Sequence, residues 1–149
     1  MEKLSCSILL LALWLSHSTL QAQCVSTGTI ASAAGTTVQG YSGDGGPATN
    51  GKVNQPLGII GDASGNIYFA DGLNHVIRKV DANGVISTVA GVAGVSGYNQ
   101  SSGSTNTVTL SYPNDVAVDA AGNIYITEGI NSLIRKIDPV SQTITLIGG

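Results

Sequence analysis

The chain has 149 residues, with 20 glycines, 42% hydrophobic and 10% charged residues, and a formal net charge of −3. A charged fraction under half of the ~25% usual in soluble domains excludes charge-driven disorder. The acidic balance excludes an electrostatic footprint for nucleic acid, and two cysteines cannot build a disulfide scaffold.

Residues 1–22 read as a signal peptide. The apolar run 8–15 matches an h-region and is far too short to cross a bilayer, and Leu20-Gln21-Ala22 offers cleavage after Ala22. A lipoprotein reading would lipidate Cys24, but Gln21-Ala22-Gln23 lacks the small residues expected before such a cysteine. Processing removes Cys6, Trp14 and His17 and leaves Cys24, His75 and Phe69 as single members of their types. Cys24 then has no intrachain partner. The chain is expected to be secreted or periplasmic, with no membrane contact after signal removal.

An internal repeat organises the remainder. PLGIIGDASGNIYFADGLNHVIRKVD at 56–81 returns as PNDVAVDAAGNIYITEGINSLIRKID at 113–138, an ungapped offset of 57. Pro56/Pro113, Asp62/Asp119, Gly65/Gly122, Asn66/Asn123, Tyr68/Tyr125, Asn74/Asn131, Arg78/Arg135 and Lys79/Lys136 are identical. An apolar alternating segment follows each copy, at 84–91 and 142–149, and a third copy of that segment alone stands at 28–35. Turn signals divide the first repeat into strands at 58–61, 66–70, 75–81 and 85–90, separated by an Asp-opened turn, a 71–74 turn and an Asn-Gly hairpin. Four antiparallel strands per repeat make a propeller blade. The fold class is therefore all-β: two four-stranded blades plus one orphan N-terminal strand. The boundaries are 23–35 for the orphan strand, 36–55 for a long loop, 56–91 for the first repeat, 92–112 for a second loop and 113–149 for the second repeat.

The pattern Pro-x-Gly-Ile, Gly-Asn-Ile-Tyr and Asn-x-x-Ile-Arg-Lys-(Val/Ile)-Asp resembles the NHL repeat family. The linker at 40–49 resembles the inter-blade loop of its extracellular and bacterial members. The resemblance covers residues 28–149. It implies a six-bladed β-propeller with a binding face, closed by an N-terminal strand that completes the last blade; residues 28–35 stand where that strand belongs. Only two repeats are present, and repeat proteins need several units for a continuous core. The chain therefore reads as a fragment of a longer secreted propeller. The alternative is a short protein forming a homo-trimer, since three copies of two blades make six.

No cofactor and no metal are expected. A zinc site wants at least three protein ligands; the repeat position of His75 is Ser132, so His75 reads as a polar residue beside a turn. The glycines around Asp44 fit a tight inter-blade loop better than a Ca²⁺ or phosphate loop. Asp62/Asp119, Asp71/Glu128 and Asp81/Asp138 recur in both repeats, as turn and capping duty predicts. Asp115 replaces Gly58 at the start of an inner strand, where a carboxylate would face a central channel. Arg78-Lys79 and Arg135-Lys136 point to opposite faces of their strands and make no basic patch. Asn99 heads a glycosylation acceptor that matters only in a eukaryotic secretory pathway, within a polar stretch at 96–109 read as an exposed loop.

The leading functional expectation is a non-enzymatic module binding an extracellular protein or glycan, with no nucleic-acid partner. Its face is formed by the two long loops and the 71–74 and 128–131 turns, and the ligand-binding candidates are Tyr41, Asp44, Tyr98 and Asp115. The rival is part of a propeller enzyme, lyase- or lactonase-like with a central metal, whose catalytic blades are missing from this chain. A cell-surface spacer is a third reading.

Overall fold

The computed structural model describes residues 31–99 and 101–149. The signal segment, Cys24 and the first part of the orphan strand lie outside the described residues. Strands form where β-branched and aromatic residues alternate between turn signals. The first four are β1 (Pro56–Gly61), β2 (Ile67–Asp71), β3 (Val76–Val80) and β4 (Ile86–Ala90), paired antiparallel in the order β1-β2-β3-β4. Then follow β5 (Ser102–Ser104), β6 (Pro113–Val118), β7 (Ile124–Glu128), β8 (Leu133–Asp138) and β9 (Thr143–Gly148), in a sheet ordered β5-β9-β8-β7-β6.

The aspartates expected in turns hold them. Asp62 Oδ1 accepts the backbone N–H groups of Ser64 and Asn66, both at 2.9 Å, while Oδ2 accepts Asn66 Nδ2 at 2.7 Å. Asp119 repeats this with Ala121, Asn123 and Asn123 Nδ2 at 3.0, 2.9 and 2.8 Å. Gly65 and Gly122 close the two turns at φ 81° and 84°, a left-handed conformation that costs glycine nothing.

In the described part of the orphan segment, residues 31–35 carry no strand pairing. The segment lies instead against the first sheet, where Gly35 N–H donates to Ala48 O at 3.0 Å and Ala33 and Ala34 border Phe69 and Val80. The 96–109 stretch is not simply an exposed loop either: it supplies β5, and Val108 is completely buried. Its apolar side chain fills the seam between the sheets.

Strand alternation gives each sheet a leading and a trailing face. The trailing face of the first sheet, with Tyr68, Ala70, Ile77 and Ala90, packs on the leading face of the second, with Val116, Ile124, Ile126, Ile137 and Ile144; Val108 and Leu110 complete this core. The leading face of the first sheet carries a smaller cluster of Phe69, Val80 and Ile86, covered by Ala48. The two outermost faces are open in part. Ile59 is 66% exposed where its repeat counterpart Val116 is 5% exposed, and Ile134 is 45% exposed where Ile77 is sealed.

Candidate binding face

Up-and-down strand order puts the β2–β3 and β7–β8 turns and both long loops at one end of the sheets. The loops are tied down there by backbone bonds. Leu73 N–H donates to Asn54 O at 3.1 Å, Gly72 N–H to Gln55 O at 3.2 Å, and Tyr112 N–H to His75 Nδ1 at 3.1 Å. His75 is thereby placed as a turn residue in the left-handed region (φ 59°), and Ser132 repeats that conformation at 55°.

Beneath each loop lies a buried acid–arginine pair. Asp71 takes the Asn54 N–H at 2.7 Å on Oδ1, and Asn74 Nδ2 at 2.8 Å and Arg78 Nη1 at 3.4 Å on Oδ2. Burial holds the Asp71 carboxyl above its usual range, against the opposing hydrogen bonds. In the second repeat Glu128 Oε2 takes the Ser111 N–H at 2.6 Å and Asn131 Nδ2 at 3.1 Å, and its Oε1 stands 2.7 Å from Arg135 Nε. That last contact is short but out of line for a directed hydrogen bond.

The loops treat the two arginines differently. Asp44 Oδ1 accepts Arg78 Nη2 at 2.6 Å, while Oδ2 accepts the Thr88 N–H and the Tyr41 hydroxyl, both at 3.1 Å. The Tyr41 ring stacks on the Arg78 guanidinium at 4.7 Å. Tyr98 stacks on Arg135 at 5.1 Å, but no acid accompanies it: Ser101 stands at the repeat position of Asp44. Asp115 is exposed on the inner strand β6 and caps its own neighbour, the Val116 N–H, at 2.9 Å. Asn99 is exposed yet engaged at both ends of its amide, with Thr107 O at 2.8 Å and the Thr109 N–H at 3.0 Å. Lys79, on the face opposite Arg78, lies over the Tyr68 ring in a groove of about 570 Å³ between the sheets. Among the described residues, no group of three His, Cys, Asp or Glu side chains is placed to hold a metal ion.

Residues 20–105 match the family model described as the Teneurin NHL domain. The chain belongs to the teneurin NHL domain family. Human Teneurin-1 is 35% identical over 116 residues, which are 74% of this chain and 4% of that protein. Teneurin-3 of Danio rerio is 36% identical over 111 residues, 71% of this chain and 4% of the relative. The chain thus spans about 4% of the length of these curated relatives. A crystal structure from Bacteroides thetaiotaomicron, titled a structural genomics protein of unknown function, superposes with a TM-score of 0.63 at 30% identity. That match covers 76% of this chain and 26% of the other.

On this NHL module, Tyr41, Asp44 and Tyr98 lie on the two long loops, while Asp115 lies on the inner strand β6. Sequence reasoning missed the buried arginines as anchors of the loops. It also missed the exposed Val38, Leu73, Val95 and Ile130 on the loops and turns. A signal for both was present: Val38-Gln39-Gly40-Tyr41 and Val95-Ser96-Gly97-Tyr98 keep the same offset of 57.

Proposed function

We propose that this NHL module is a non-enzymatic binding unit, secreted or periplasmic by virtue of its leader, that holds a protein partner on its loop-bearing end. One observation carries the proposal. Val38, Tyr41, Leu73, Val95, Tyr98 and Ile130, 40–68% exposed, all sit on the loops and turns of that end. Clustered exposed apolar side chains mark interaction sites, and aromatic residues are favoured in them. The predominance of aliphatic groups favours a protein over a glycan.

The test is binding of the immobilised chain to a panel of extracellular proteins and, in parallel, to a glycan array. A Leu73→Asp/Ile130→Asp double variant is expected to lose at least about tenfold in affinity for any protein bound. Val140→Asp, at the opposite end, is expected to bind as the parent does. Equal loss in both variants, or retention in both, would remove the loop end from the proposal. Binding confined to the glycan array would replace the protein partner.

A further inference from the structure

The two repeats differ in how they satisfy one buried guanidinium. Arg78 and Arg135 occupy the same repeat position, and both side chains are fully buried. In the first repeat the outer nitrogens are well supplied. Nη2 donates to Asp44 Oδ1 at 2.6 Å and Ser42 O at 3.2 Å, and Nη1 to Lys52 O at 3.5 Å as well as to Asp71. In the second repeat the positions of Ser42, Asp44 and Lys52 are held by Asn99, Ser101 and Thr109. Asn99 spends its amide on the loop backbone, and Ser101 has no charge. Arg135 Nη1 and Nη2 have no hydrogen-bond partner among the described residues, and neither does the buried Thr109 Oγ1. Buried polar groups are almost always satisfied, and an unmet charged donor is expensive.

We propose that the second repeat binds a carboxylate-class anion beneath Tyr98, in the place that Asp44 fills in the first repeat, with Arg135 Nη1 and Nη2 and the Thr109 hydroxyl as donors. The chemistry follows from the first repeat. There the same guanidinium carries two carboxylates, Asp71 and Asp44, whereas Arg135 has Glu128 alone. A planar guanidinium prefers the fork geometry of a carboxylate, and the hydrogen bonds are charge-assisted. Tyr98 is half exposed over the guanidinium and forms the lid of the site. The source is a free small acid or an acidic side chain of a bound protein.

The experiment titrates the full chain with formate, acetate and N-acetylaspartate amide at constant ionic strength, made up with chloride. Thermal unfolding and the side-chain Nε–Hε resonance of Arg135 are followed. A saturable rise in the unfolding midpoint, together with a shift of that resonance, is expected for at least one carboxylate. Ser101→Asp, which supplies the acid from the chain itself, is expected to raise the midpoint without any ligand and to abolish the response. Response to formate identifies a free acid as the ligand; response to the aspartate amide alone identifies a protein side chain. Absence of any carboxylate-specific response overturns the proposal, as does an undiminished response in Ser101→Asp. Should that variant not fold, Arg135→Gln replaces it, and a parent-like midpoint response there is equally fatal.

Discussion

Arg78 is sealed from solvent together with Asp71, and a buried ion pair of this kind is costly unless further partners meet its outer donors. Asp44 supplies such a partner to Nη2, and binds the Thr88 N–H and Tyr41 at the same time. Replacing Asp44 by Ser, the residue at that position of the second repeat, is therefore expected to destabilise the fold by about 1–3 kcal/mol. Denaturant unfolding of parent and variant checks this; equal midpoints would show that the loop does not lean on Arg78. Carboxylates also set the acid limit. The Asn66 amide holds Asp62, the Val85 N–H holds Asp81, the Asn123 amide holds Asp119 and the Ser141 N–H holds Asp138, all below the usual range. A carboxyl depressed in the folded state contributes stability above its unfolded pKa of about 3.9, and that stability is lost as pH falls through the folded value. Asp71 works the other way: burial raises it, so its protonation favours the folded chain as pH falls through its folded value. With four groups against one, the unfolding midpoint is expected to change little on approach to pH 4 and to fall steeply below it. A midpoint insensitive to pH below 4 would contradict the turn assignments.

At the level of elements, the inner strands meet closely enough to demand glycine. A Cβ on Gly58 of β1 would stand 2.6 Å from Asp115 Cα of β6, and its neighbour on that strand is backbone that cannot swing away. Gly58→Ala is expected to cost about 1–3 kcal/mol by overpacking, whereas Gly84→Ala, with open space at its Cβ, is strained only by its φ of 79°. Thermal unfolding of the two variants separates crowding from backbone strain. The eight long strands were legible from sequence because period-2 alternation sits between Asp and Gly turns repeated at an offset of 57. β5 was not: Ser102-Gly103-Ser104 has no β signature and becomes a strand only because the outer edge of β9 offers free backbone groups. The loop anchors were hidden for a related reason. Arg78 and Arg135 look like surface cations on an alternating strand, and only the loops that fold back over them turn that face into an interior.

Across the whole molecule, the packing of one sheet on the other is a template for what the open faces can accept. Ile77 is sealed against the second sheet, but its counterpart Ile134 is exposed, as is Ile147 on β9; at the other extreme Ile59 is open where Val116 is covered. The trailing face of the second sheet thus repeats the surface that the first sheet buries, and the leading face of the first, outside the Phe69, Val80 and Ile86 patch that Ala48 covers, repeats the surface that the second buries. These faces are complementary and not self-complementary, so contact between two copies is head-to-tail and leaves a fresh pair of faces, unless the rotation closes a ring. We expect purified residues 23–149 to run above monomer mass in light scattering at micromolar concentration. Burying each exposed isoleucine contributes up to about 1.5–3 kcal/mol. A Glu at Ile59 together with one at Ile134 is expected to return the chain to a monomer while keeping its β-type circular dichroism. A monomeric parent would show that the exposed area is too small to offset the entropy lost on association. A single discrete mass would distinguish ring closure from the open-ended series that uncontrolled head-to-tail stacking produces.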